Sequence, residues 1–256
     1  MTKSQGNFIW YELMSPDPDA SKTFYDAVVG WNIDASPAGE IDNLMIVITG
    51  GGNAGGVLRL DAAMQEHGAR PMWLGYVGVD DVDAMVAAVN SAGGEVLMPP
   101  WTIEGVGRIA MVRDAQGNSF YLMRGASDQT SDAFSVAAVG HCNWNELSTA
   151  DPDAARAFYG DRFGWTSDDF MPMGEMGNYR FLDHHGVRIG ALCGVGPGST
   201  PGWRYYFRVP SINAAVEAIN AGGGTVFMGP HEVPGGDHIV IGTDPQGAQF
   251  ALVGRP

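Results

Sequence analysis

Two copies of one short pattern, Trp10-x-Glu12 and Trp144-x-Glu146, set an aromatic ring two residues from a carboxylate in apolar, extended-looking segments. Side chains alternate along a strand, so residues two apart share a face. An indole beside a carboxylate suits a flat ligand, above all a cationic or hydrogen-bond-donating one. A carboxylate taken out of water also holds its proton more tightly, which suits a general base drawing a proton from carbon beside a carbonyl. The structural alternative is that the rings fill space while Glu12 and Glu146 pair with Arg204, Arg180 or backbone donors. Filling, ligand binding without chemistry, and acid–base catalysis at Glu12 and Glu146 all stay open at this level.

The other reactive side chains are less organised. His184 and His185 sit in DHHG, which reads as a turn between strands, and His67 and His141 stand alone. His231 and His238 flank a Gly/Pro loop with Glu232 and Asp237 nearby; they form a metal set only if that loop folds inward, and read otherwise as surface residues. Cys142 and Cys193 have no metal-type spacing. They read as buried thiols of a cytoplasmic protein, with a single disulfide left open.

The elements that position these residues come from a repeat. WYELMSPDPDASKTFYDAVVGW from Trp10 pairs with WNELSTADPDAARAFYGDRFGW from Trp144, an offset of 134 with half of the positions identical. VLMPP from Val96 pairs with VFMGP from Val226 at an offset of 130, and RDAQGNSFYLM with GTDPQGAQFALV likewise. The expected organisation is therefore two homologous halves, 6–124 and 138–254, joined by a polar linker at 125–137. Inside each half a weaker repeat recurs: Asp17, Asp81, Asp151 and Ser211 are candidate N-caps, with Pro18 and Pro152 at the first helical position. Gly30, Gly93, Gly164 and Gly222 are the matching stops. Each helix follows an apolar strand and precedes short strands broken by glycine. The reading is strand–helix–strand–strand–strand, four times over. Phe24–Tyr25 and Phe158–Tyr159 fall on the core side of their helices.

Composition narrows the partners. Hydrophobic residues make up 45% of 256 and charged residues 17%, enough for a sizeable core. A formal charge of −15 repels phosphate backbones and anionic lipid, so neither nucleic acid nor membrane is expected. No targeting segment or membrane-length apolar run is read, and the expectation is a cytoplasmic monomer or homodimer.

Four βαβββ units, DPDAARAFY after an opening strand, a tryptophan after FG, and a closing DPQG before an apolar strand together resemble the vicinal-oxygen-chelate superfamily of glyoxalases, bleomycin-resistance proteins and extradiol dioxygenases. WNEL, NYRFL and TDPQG are similar to its two-domain form, a glyoxalase-like antigen type found in mycobacteria. The resemblance implies an α+β fold in which the four units form two glyoxalase-type domains with cup-shaped mixed sheets. It also implies metal ligands (His, Gln or Glu) on the first and last strands of each unit, at positions that here hold Trp10, Leu74 and Tyr121 in one half and Trp144, Arg204 and Ala251 in the other. These are not a ligand set for a divalent cation. No metal ligand and no cofactor are therefore assigned.

By strand parity from those positions, Tyr76 and Tyr121 join Trp10 and Glu12 in the first cup, and Arg204 and Tyr206 join Trp144 and Glu146 in the second, with Tyr179 on its wall. The expected function is binding of a small molecule, planar aromatic or cationic, in aromatic and acidic cavities. The alternatives are a metal-free glyoxalase-like isomerase or lyase using a cavity glutamate, and a metal-dependent glyoxalase or dioxygenase with unorthodox ligands.

Overall fold

The computed structural model describes residues 5–35, 43–196 and 199–256, so the expected first domain includes a stretch, 36–42, outside the described residues. The first half runs β1 (Phe8–Ser15), α1 (Pro18–Val29), β2 (Asn32–Ala35), β3 (Asn43–Val47), β4 (Asn53–Arg59), a short α2 (Ala62–Glu66), β5 (Met72–Gly78), α3 (Val82–Ser91), β6 (Glu95–Ile103), β7 (Gly107–Arg113) and β8 (Ser119–Gly125). The second half runs β9 (Cys142–Thr149), α4 (Pro152–Phe163), β10 (Phe170–Pro172), β11 (Asn178–His184), β12 (Val187–Gly194), β13 (Gly202–Val209), α5 (Ile212–Ala221), β14 (Thr225–Glu232), β15 (His238–Thr243) and β16 (Gln249–Gly254). The βαβββ pattern recurs four times. Among the described residues, α2 and a 3-10 turn at Gly174–Met176 have no counterpart in the sequence reading; α2 is a short helix capped by Asp61, whose side chain accepts from the Met64 amide at 2.8 Å.

The strands form two mixed eight-stranded sheets, ordered β2-β3-β4-β1-β5-β8-β7-β6 and β10-β11-β12-β9-β13-β16-β15-β14. Within each βαβββ unit the first strand runs parallel to the last, as β9 does to β12, and the others pair antiparallel. Neither order returns to its start, so both sheets are open.

The compact units of the chain do not follow its halves. One compact unit gathers Gly75–Ser131 with Trp144–Arg204, and the other Trp10–Leu74 with Asp132–Asn143 and Tyr205–Pro256. In each unit a helix of the first half packs on one of the second, α3 on α4 and α1 on α5.

The helix signals act as their chemistry requires. Asp17 accepts from the Ala20 amide at 3.0 Å, Asp81 from Ala84, Asp151 from Ala154 and Ser211 from Ala214, each satisfying an N–H that has no partner inside its helix. Gly30 and Gly164 take left-handed φ values of 83° and 73° at the C-caps. The stop of α5 shifts by one residue: Gly222 keeps φ −81°, and Gly223, at 82°, takes the left-handed turn.

Each unit holds the same buried network, which gives the DxQG turns a physical reason. In one, the Tyr159 hydroxyl donates to Asp114 Oδ2 at 2.9 Å and accepts from Trp203 Nε1 at 3.2 Å. In the other, Tyr25 donates to Asp244 at 3.1 Å and accepts from Trp73 at 3.0 Å. Both aspartates also accept turn amides: Gln116 and Asn118 at Asp114, Gln246 and Ala248 at Asp244. Buried polar atoms need such partners, since an unmade bond of this kind costs about 1–3 kcal/mol. Gln116 adds a reciprocal pair to the Asp151 backbone, at 2.7 and 2.9 Å, fixing the start of α4. Phe24, Tyr25, Phe158 and Tyr159 are all core residues, as their helical spacing predicts.

Among the described residues no helix is long and apolar enough to cross a membrane.

Candidate functional site

β9, β12 and β11 lie side by side, and their register sets one face of the sheet. Glu146 stands opposite Ala191 on β12, which stands opposite Phe181 on β11. Alternation then puts Trp144, Glu146, Tyr179, Phe181 and Cys193 on that face, with Asn145 and Leu147 on the other. The close approach of β9 and β12 depends on Gly190, where a Cβ would lie 1.8 Å from the Asn145 carbonyl oxygen; Gly55 does the same for Tyr11 between β1 and β4.

Four of the residues singled out from sequence come together here. Arg204 Nη1 lies 2.8 Å from Glu146 Oε1, and the Tyr179 hydroxyl donates to Glu146 Oε2 at 2.7 Å. Both carboxylate oxygens are thus engaged, one by a cation and one by a phenol. The Arg204 and Glu146 side chains are only 16% and 11% exposed, so water screens the pair weakly. Arg180, the other candidate partner, instead bonds Asp153 of α4 at 3.0 Å.

Tyr179 in turn accepts from Trp144 Nε1 at 2.8 Å. The two rings are parallel to within 2°, with centroids 6.5 Å apart. An indole N–H points outward in the plane of its ring, so a direct N–H···O bond between parallel rings sets them edge to edge rather than face to face. Trp144 and Tyr179 form one continuous flat wall, partly exposed. Phe181 meets both rings at close to a right angle, with centroids 6.1 and 5.8 Å away. The sequence reading missed Phe181, although it follows Tyr179 by two residues on the same strand.

Cys193 stands beside this cluster. Burial, and then the Glu146 charge, push its thiol up to about 12, which removes it as a nucleophile at neutral pH. No disulfide joins it to Cys142.

The remaining candidates fall elsewhere. Tyr76 and Tyr121 are direct register partners on β5 and β8, stacked at 4.2 Å and 11°. The corresponding pair on β13 and β16 is Tyr206 and Ala251, so the second half has no matching ring stack. Trp10 and Glu12 lie on β1; Glu12 is opposite Gly56, and the Trp10 indole lies over that glycine, within 3.5 Å of where a Cβ would be. The register sets Asn43 in the place of Tyr179, and Leu74 is the counterpart of Arg204. The Trp-x-Glu pattern recurs in both halves, but the groups that hold Glu146 belong to the second half alone.

The histidine loop does not assemble as a cation site. Asp237 is taken by Arg208 and by Arg255 (3.2 Å), and the hydrogen bond from Arg208 holds its carboxyl below the usual range. Among the described residues no three or more His, Cys, Asp or Glu side chains come together as a metal-binding group.

Comparison with known proteins agrees with this architecture. The glyoxalase/bleomycin resistance protein/dioxygenase superfamily matches residues 7–122, and a bleomycin resistance protein-like N-terminal family matches 143–177. A Mycobacterium tuberculosis protein named "Putative glyoxylase CFP32" is 32% identical over 97% of this chain and 95% of its own. The anthracycline biosynthesis protein DnrV of Streptomyces peucetius is 29% identical over 95% of this chain and 91% of its own. In fold, the chain is similar to the Mn(II)-bound glyoxalase from Novosphingobium aromaticivorans (TM-score 0.63, 19% identity, 99% of this chain and 83% of that one). It is equally similar to the 2,3-dioxygenase LapB from Pseudomonas sp. KL28 (TM-score 0.64, 12% identity, 97% and 91%). With relatives above 30% identity along nearly the whole length and the superfamily pattern across the first half, the chain belongs to the glyoxalase/bleomycin resistance protein/dioxygenase superfamily.

Proposed function

We propose that this protein is a small-molecule-binding member of its superfamily, and that its second half receives a flat organic molecule at Trp144, Glu146, Tyr179 and Arg204 without a divalent cation. The observation that carries this reading is the occupation of both Glu146 oxygens, by Arg204 at 2.8 Å and Tyr179 at 2.7 Å. A divalent cation needs several lone pairs converging on one point. Here the nearest carboxylate is already neutralised by a guanidinium, and that fixed positive charge repels a second cation. The residues do not fit a metal, and no chemical step is routed through one.

The same geometry alters the expected ligand. A preference for cations follows from a lone carboxylate, whereas Glu146 and Arg204 sum to zero charge. An uncharged flat molecule suits the pair and the aromatic wall better. Acid–base catalysis by Glu146 is the rival reading, and it requires one of the two hydrogen bonds to break first. Relatives named for glyoxalase function and for anthracycline biosynthesis agree with a small organic ligand. Two thiols without a disulfide support a cytoplasmic location within this reading.

Calorimetry with neutral and cationic naphthalene derivatives tests the proposal, alongside metal analysis after dialysis against Mn(II) and Zn(II). Saturable binding of the neutral compound is expected, lost in Trp144→Ala and unchanged by EDTA. A stoichiometric metal that disappears in Glu146→Gln, or no saturable binding of either compound, refutes it.

A further inference from the structure

We infer that the ligand of the second-half site is a fused-ring aromatic of three or four linearly joined rings, one long enough to lie across Trp144 and Tyr179 together. This inference rests on the small-molecule reading of the same site and narrows it to a chemical class.

Two aromatic side chains in one site usually tilt against each other or stack, because edge-to-face and offset arrangements suit their quadrupoles. Trp144 and Tyr179 do neither. Their planes differ by 2°, and the indole N–H is joined directly to the phenol oxygen. Each hydrogen is committed along the wall: the indole N–H to Tyr179, the Tyr179 hydroxyl to Glu146. No polar hydrogen projects from the two ring faces, which form a single apolar plane.

That plane is held in place. Tyr179 is pinned at its hydroxyl by two partners, Glu146 is pinned by Arg204, and Phe181 abuts both rings. A wall already ordered before binding loses little rotamer freedom when a flat ligand settles on it. A wall of this length also discriminates by ring number. The 6.5 Å between centroids exceeds the reach of one benzene ring, which covers Trp144 or Tyr179 but not both. Terminal ring centres lie about 5 Å apart in a linear three-ring system and about 7 Å apart in a four-ring one, so the longer system spans the full 6.5 Å and the shorter one reaches both rings as an offset stack. The polar edge of the wall, Glu146 with Arg204, borders the Tyr179 end, where ring hydroxyl or quinone oxygens would find a donor and an acceptor nearby.

The test is a ring-number series measured on the intact protein by calorimetry: phenol, 1-naphthol, 1-hydroxyanthraquinone and a hydroxylated linear naphthacenequinone. The three- and four-ring compounds should bind about two- to tenfold more tightly than naphthol, the four-ring one at the upper end, since a second stacking contact adds roughly that factor. Tyr179→Ala shortens the wall and should collapse this ratio towards one, while Tyr179→Phe, which keeps the ring, should retain most of it. Equal affinity across the wild-type series, or an unchanged ratio in a folded Tyr179→Ala protein, overturns the fused-ring inference. Naphthol binding with no gain from further rings would overturn it and leave the small-molecule reading standing. No saturable binding by any member overturns both.

Discussion

Arg204→Leu converts the second half to what the first half has at the same place, Leu74. The substitution strips Glu146 of its cation and leaves a carboxylate whose side chain is 11% exposed, with the Tyr179 hydroxyl still bonded to one oxygen. Removing one member of a buried ion pair typically costs about 3–5 kcal/mol, because the other charge stays behind without compensation. The surviving Tyr179 bond argues for the lower end, about 3 kcal/mol. In a chain of this size that corresponds to roughly 6–12 °C in melting temperature. Glu146→Gln should cost about 2 kcal/mol, since an amide oxygen still accepts from Arg204 while the charge pairing is lost. The decisive quantity is the double variant. Arg204→Leu with Glu146→Gln leaves no unpaired charge, so its cost should fall below the sum of the single costs by at least about 1 kcal/mol. Urea unfolding followed by tryptophan fluorescence and circular dichroism measures all four corners of the cycle. Costs that add to within about 0.5 kcal/mol would mean that the two groups do not interact, and the neutral-pair argument against a cation site would fall with them.

Two further outcomes follow from the buried groups. Burial, the largest influence on Asp244, raises its carboxyl pKa despite the turn amides and Tyr25 that bond it. A folded pKa above the unfolded one means stability that is fully present below about pH 3.9 and is lost as pH rises through the folded value. Wild-type stability minus that of Asp244→Asn should therefore decline as pH rises above about 4, and a flat difference would exclude a raised carboxyl. Cys193, with its thiol near 12, should react with iodoacetamide at pH 8 about a thousandfold more slowly than a free cysteine, and at the ordinary rate in guanidinium; rapid labelling of the native protein would contradict the buried, acid-flanked placement.

Local chemistry made much of this fold legible. An N-cap acts through its own side chain and the next few amides, so Asp17, Asp81, Asp151 and Ser211 announce their helices without tertiary information. Repetition at fixed offsets announces the four βαβββ units, because a duplicated unit keeps its turns and apolar positions. Strand parity also brought Trp144, Glu146 and Arg204 into one set of candidates, with Tyr179 named beside them on the wall, and parity applied from Tyr179 would have found Phe181.

Three things required the tertiary structure. Sequence offered Glu146 two arginines and left the choice open; Arg180 and Tyr179 are neighbours on β11 with opposite faces, so Arg180 went to Asp153 of α4 while Arg204, from another strand, reached the carboxylate. Sequence registered Tyr25, Tyr159 and the DxQG turns as core and family pattern, but the bonds that join them span 45 and 219 positions along the chain. Most consequentially, the side-by-side planes of Trp144 and Tyr179 are a matter of ring orientation. Spacing along a strand fixes which face a side chain takes; the angle of its ring is set by neighbours on other strands, and those only folding supplies.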